Sequence, residues 1–242
     1  MLSRIISKTR SGAVMQLRAA GFAATSRPEI HCYGTDTSIH TQVVKATLSE
    51  LGLSFNKVPV DIDVKMNNYD EWYAKINPQM TVPSLKYGDQ TLVNSREIIN
   101  HLCTEHPDKA LMPFDESRRE KVESYLQDFY ATSHHVTALT EGRLQQQSYY
   151  WLYTSTRPVS TKLEQMKANP QLQKFAEAKI AKLEADKKLV QAITLKDAEL
   201  QLVNFLDRID NDLSDKREFL VGNQYSLADV VATCLLARVY FS

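Results

Sequence analysis

The sequence predicts two folded parts in series, an α/β part and then an all-helical one. Three observations carry this expectation. Strand-like and helical patterns follow in the order β-α-β-α-β-β-α between Ile30 and about Pro107, helical periodicity alone continues from about Pro113, and a basic segment without acids precedes both.

The leading segment carries Arg4, Lys8, Arg10, Arg18 and Arg27, with no acid before Glu29. On a helix, Leu2, Ile5, Ile6 and Val14 share an apolar side while the cations supply the charge that an import machinery and a membrane potential act on. Residues 1–27 are therefore expected to be a mitochondrial presequence, cleaved between about Ala20 and Arg27, and the protein to be mitochondrial. A disordered basic tail is the plainer alternative.

In the α/β part, Ile30 to Tyr33 is a short apolar run and is followed by a polar turn. Val43, Val44, Thr47, Leu48 and Leu51 then recur at helical spacing up to Gly52, a usual C′ residue. Ser54 to Val60 alternates as a second strand, and Trp72 to Ile76 forms a short helix that Asn77-Pro78 ends. A parallel β-α-β unit follows. Val82 to Tyr87 and Gln90 to Val93 are strand-like runs around Gly88-Asp89, a glycine-first turn suited to a two-residue hairpin. Asn94-Ser95 offers N-cap chemistry to a helix carrying Ile98, Ile99 and Leu102. This order is that of a thioredoxin-like domain, expected over residues 28–107.

Residues 113–242 read as a helical domain. Ser117 to Tyr153 places Val122, Tyr125, Leu126, Phe129 and Tyr130 at helical spacing, and Thr161 to Leu213 is a second, charge-rich segment, with Pro158 and Pro170 as punctuation. Near the end, Ser226-Leu227-Ala228-Asp229 reads as a capping box, the Ser226 hydroxyl accepting from the Asp229 amide and the carboxylate answering the Ser226 amide. Tyr225 and Val230 stand as its hydrophobic staple.

Composition narrows the function. With 43% hydrophobic and 24% charged residues in 242, the chain can bury ordinary globular cores. Its 29 basic and 29 acidic residues leave no net charge, so the footprint of a nucleic-acid binder is missing. No run approaches the ~18 apolar residues of a spanning helix, so membrane association is not visible in this chain. Cys32, Cys103 and Cys234 lie far apart without CxxC or ligand spacing, which argues for a reduced compartment and no structural zinc. Neither an HExxH spacing nor a glycine-rich phosphate loop occurs, and no metal is expected.

Taken together, an early serine in the turn after the first strand, Asn77-Pro78 followed by Val82-Pro83, Asn94-Ser95 opening a helix, and the run from Phe219 to Asp229 closely resemble the glutathione transferase family, over nearly all of Glu29 to Ser242. The long charged insertion at about 156–196, with Asn169-Pro170, looks most like the ganglioside-induced differentiation-associated branch, which is mitochondrial. By the same resemblance the chain looks truncated, since it stops at Ser242 within what should be a central helix, where a further membrane anchor would be invisible. A homodimer is a further implication.

The resemblance implies glutathione as co-substrate. A thiol with a pKa of about 8.5 is only a few per cent ionised at neutral pH, and lowering that value by roughly two units takes about 2.7 kcal/mol of preferential stabilisation of the thiolate. A hydroxyl donor beside a helix N-terminus is a suitable source. Ser38, in the polar turn Gly34 to Thr41, stands where serine-type transferases keep that hydroxyl. A turn or N-cap serine would look the same, Thr37 and Thr41 are alternative hydroxyls, and His40 is unusual there. Pro83 at the head of an internal strand suggests a cis Val82-Pro83 bond. In the family the residue at Val82 pairs, strand fashion, with the cysteinyl part of glutathione, and Ser95 meets the γ-glutamyl carboxylate at a helix N-terminus. Asn94 replaces a usual acid or Gln, and Met80-Thr81 stands where a Gly and often a cation precede the Val-Pro pair.

His134, His135 and the cluster Tyr149, Tyr150, Trp151 and Tyr153 read first as core or domain-interface residues and second as candidates for the electrophile pocket. Two functions follow: conjugation of glutathione to small electrophiles in mitochondria, or a non-catalytic binding or assembly module that keeps the fold.

Overall fold

The computed structural model describes residues 28–140, 157–192 and 194–240. The segment read as a presequence, the aromatic cluster around Trp151, and the side chains of His134 and His135 lie outside what is described.

The first part contains β1 (Ile30–Gly34), α1 (Ile39–Glu50), β2 (Asn56–Pro59), a 3-10 turn (Asn67–Tyr69), α2 (Glu71–Ile76), β3 (Ser84–Tyr87), β4 (Gln90–Val93) and α3 (Ser95–Glu105). The expected order of elements is present, and the sheet runs β2-β1-β3-β4. β1 and β2 are parallel, while β3 is antiparallel to both β1 and β4. α1 ends as its sequence predicts: Gly52 takes φ +66°, its amide donates to Ser49 and the Leu53 amide reaches back to Leu48, which is a Schellman closure. At the β3-β4 turn Gly88 alone takes positive φ, at +59°, as a glycine-first two-residue hairpin requires. β2 is shorter than the alternation suggested and mostly exposed, which suits a sheet edge that accommodates Pro59.

Beyond it lie α4 (Glu116–Thr140), α5 (Arg157–Lys167), α6 (Gln173–Ala192), α7 (Leu195–Leu213) and α8 (Leu227–Tyr240). The charge-rich segment from Thr161 to Leu213 is thus shared among three helices, with one break at the expected Pro170 and a second, unexpected one before Leu195. Asn169 side-chain oxygen accepts from the Gln171 amide at 3.1 Å in the break before α6. Thr194 opens α7 with a full capping box, its hydroxyl oxygen accepting from the Asp197 amide and the Asp197 carboxylate accepting from the Thr194 amide, each at 3.1 Å. The box at Ser226 is different from the one expected. The Asp229 carboxylate does accept from the Ser226 amide at 2.9 Å, but the Ser226 hydroxyl donates to that carboxylate instead of accepting from the Asp229 amide. The carboxylate's other oxygen takes the Leu220 amide at 2.8 Å, so one buried aspartate ties the 220–226 loop to α8.

One apolar cluster joins both parts: Val43, Leu48, Leu85 and Ile98 pack in the same body as Val122, Phe129, Phe205 and Val231. A second, smaller cluster has mixed parentage. Val159, Leu163, Met166, Leu172 and Ala176 of the α5-α6 hairpin close over Met66, Tyr69, Ala74 and Met80 of the first part. Met80 has φ +52°, which costs a side-chain-bearing residue roughly 1–2 kcal/mol, yet its side chain is fully buried in this cluster, a gain of about 1.5–3 kcal/mol that offsets the strain. Among the described residues no helix is long and apolar enough to cross a membrane.

Candidate functional site

The strand register decides which residues can meet. Tyr33, Ser84 and Val93 stand side by side across β1, β3 and β4. Ser38 follows Tyr33 by one short turn, Val82 lies just ahead of Ser84, and Ser95 comes just after Val93. All three candidate segments therefore emerge from the same end of the sheet, with the N-termini of α1 and α3 beside them.

Ser38 is the N-cap of α1, and its Oγ accepts from the Thr41 amide at 3.3 Å. The cap and the thiolate readings are compatible, because a hydroxyl oxygen that accepts this bond still has its proton to donate. Packing keeps the turn tight: a Cβ on Gly34 would come within 2.6 Å of the Thr41 hydroxyl oxygen, so only glycine lets β1 end this close to α1. Thr37 donates its hydroxyl to Asp63 at 2.8 Å, and Arg238 from α8 donates to the Thr37 carbonyl at 2.7 Å. Thr37 is thereby committed to holding the turn, and the buried Thr41 sits at the Gly34 contact.

The Val82-Pro83 bond is cis, as its place at the head of β3 suggested. Asn77-Pro78 does more than stop α2. The Asn77 amide nitrogen donates to the Thr81 carbonyl at 2.8 Å and to Ser84 Oγ at 3.1 Å, while its oxygen accepts from the Gln79 amide at 2.9 Å. Tyr73 donates to the same Thr81 carbonyl at 2.6 Å, and its burial pushes the phenol up to about 12, keeping that proton in place. Among the described residues nothing pairs with the Val82 amide or carbonyl.

Asn94 takes φ +71° and caps α3 with its side-chain oxygen, accepting from the Arg96 amide at 2.9 Å. Ser95 is 4% exposed. Its hydroxyl meets the Tyr130 hydroxyl at 2.9 Å and His40 Nδ1 at 3.4 Å. The imidazole of His40 lies parallel to the Tyr130 ring, 5.7 Å between centroids, and edge-on to Phe129. Arg96 stands over the other reach of Tyr130 and pairs with Glu123. Sequence reasoning singled out His40 only as odd and Tyr130 only as a core spacing; the long-range approach of α4 to α1 and α3 makes them neighbours of Ser95. A surface groove of about 570 Å³ along the start of α4 touches this neighbourhood through Arg96 and Glu123, away from Ser38.

All three cysteines are buried and free, and burial pushes Cys32 up to about 11 and Cys103 and Cys234 to about 12. None competes as a nucleophile at neutral pH.

The glutathione S-transferase N-terminal domain family matches residues 33–110, and the C-terminal domain family matches residues 156–242. The chain belongs to the glutathione transferase superfamily. A tetrachloro-p-hydroquinone reductive dehalogenase of Sphingobium chlorophenolicum is 27% identical over 88% of this chain and 83% of that protein. Glutathione S-transferase Z1 of Arabidopsis thaliana is 32% identical over 38% of this chain and 40% of its own. Among solved structures, a glutathione S-transferase from Rhodospirillum rubrum superposes with a TM-score of 0.59 at 18% identity, covering 87% of this chain and 77% of that one. A glutathione transferase homolog of Drosophila mojavensis with bound glutathione gives 0.55 at 21% identity, over 87% and 77%. A thioredoxin-like domain followed by a helical domain is thus the shared architecture.

Proposed function

We propose that this transferase conjugates glutathione to small electrophiles in mitochondria, within or near the ganglioside-induced differentiation-associated branch. The observation that supports it best is the convergence of Ser38, Val82-Pro83 and Ser95 at one end of the sheet. Val82 offers backbone groups to the cysteinyl part, Asn94 and Ser95 offer a helix N-terminus to the γ-glutamyl carboxylate, and Ser38 donates a hydrogen bond to the thiolate sulfur. The glutathione thiol releases its proton to solvent. Its sulfur then forms a bond to an electrophilic carbon, whose leaving group departs with the bonding electrons. The mitochondrial assignment rests on the basic, acid-free composition of residues 1–27 and the branch on the charged insertion. A homodimer belongs to the same reading.

The test is a calorimetric titration of the protein from Arg27 onward with reduced glutathione, against Ser95→Ala. Saturable binding that the substitution weakens supports the site, and Ser38→Ala in a conjugation assay then tests the thiolate role. A folded sample that takes up no glutathione would replace this reading with a non-catalytic binding or assembly module.

A further inference from the structure

The loop that enters the Val82-Pro83 bond is held from a helix 100 residues further along the chain. Lys179, in the middle of α6, is 7% exposed. Its ammonium donates to the Gln79 carbonyl at 2.9 Å and the Met80 carbonyl at 3.4 Å, and stands 5.5 Å from the centroid of Tyr69. These hydrogen bonds go to loop backbone rather than to a carboxylate, so the loop cannot move off without stranding a buried cation. Asn68 reinforces the same point, donating to the Met80 carbonyl at 3.1 Å. A second lysine of the hairpin works at the other end of this region: Lys162 pairs with Asp70 at 2.7 Å and donates to the Lys65 carbonyl at 2.6 Å and the Met66 carbonyl at 3.1 Å. Independently, the Met80 side chain, at the position where the resembled pattern carries glycine, is one of the buried residues of the hairpin's own cluster.

We propose that Lys179 is a positioning residue for glutathione: from α6 it fixes the Gln79 and Met80 carbonyls and with them the backbone path into Val82. The α5-α6 hairpin is then a part of the glutathione site through the loop that it holds. This rests on the reading of Val82 given above, and its test separates the two.

Reduced glutathione is titrated into wild type, Lys179→Met and Lys179→Arg, and hydrogen exchange of the Gln79 and Met80 amides, which donate to Asn77, is followed in the same proteins without ligand. Losing two hydrogen bonds to the loop should weaken binding roughly threefold to tenfold in Lys179→Met, and Lys179→Arg, which keeps donors and charge, should restore it to within about twofold. Loop exchange should speed up in Lys179→Met alone. A folded Lys179→Met that binds as tightly as wild type, with unchanged loop exchange, overturns the proposal. If wild type binds no glutathione while the loop still loosens in Lys179→Met, the clamp stands and the glutathione reading falls. If Lys179→Met does not fold, wild-type exchange decides. Gln79 and Met80 amides that open with the same free energy as the α6 amides around Lys179 support the clamp, and Gln79 and Met80 amides that exchange far sooner overturn it.

Discussion

At the scale of the residue, Ser38 has two duties that substitution can separate. Its oxygen caps α1 by accepting from the Thr41 amide, and its proton is left for a sulfur. Ser38→Ala should lose both: about 1 kcal/mol of stability in urea unfolding, and roughly a hundredfold in conjugation rate with the apparent pKa of the rate profile moved up toward that of free glutathione, about 8.5. Ser38→Asp keeps an acceptor for Thr41 but places negative charge against the thiolate, so stability should return while conjugation does not. Equal activity in Ser38→Asp and wild type would rule out the hydroxyl donor. The cysteines give a second residue-scale prediction. Because burial holds all three thiols protonated, alkylation near pH 7.5 should label none of them in the folded protein and all of them once it is unfolded.

At the scale of the element, two side chains hold segments that secondary structure alone would leave loose. Asp229 satisfies the Leu220 amide, the Ser226 amide and the Ser226 hydroxyl from one buried carboxylate. Asp229→Ala strands those donors and should cost about 2–4 kcal/mol in denaturant unfolding. Lys179 carries a cost of its own. Burial pushes its amine down to about 8, with Lys182 adding to the shift, Asp186 opposing it and the Tyr69 ring in front. Its folded value lies below the ordinary one, so between the two the unfolded chain binds more protons and stability rises with pH. Wild type should therefore gain on the order of 1–2 kcal/mol relative to Lys179→Met between pH 8 and about 9.5, with the two running parallel below pH 7. Urea melts at several pH values measure this directly.

At the scale of the whole molecule, the two parts read from sequence do not have separate cores. α1 and α3 of the first part, and α4, α7 and α8 of the second, contribute to one cluster, and the hairpin adds a second cluster that again spans both. Breaking either part would expose apolar surface of the other. Chemical unfolding followed by far-ultraviolet circular dichroism and by tryptophan fluorescence should therefore give one coincident transition. Two separated transitions would mean that the shared core contributes little to cooperativity.

The sequence by itself determined the order and type of the elements of the first part, because each is written in local signals: period-two strands, Gly52 ending α1, Gly88 turning the hairpin, Asn94 capping α3. It also determined which residues stand at the mouth of the sheet, since Ser38, Val82 and Ser95 sit at fixed short distances from strand ends. Where local signals were weak it misled. A run of helix-forming charged residues concealed the break at Thr194, although Pro170 marked the one beside Asn169, and a serine-to-aspartate spacing does not say which way a hydroxyl proton points. Only the tertiary structure decided what surrounds the candidate site. His40 and Tyr130 close on Ser95, Arg238 braces the Thr37 turn, and Lys179 holds the approach to Val82 across about a hundred residues of chain. Such contacts depend on how helices pack, which is set by the fit of whole apolar faces rather than by any short stretch of residues.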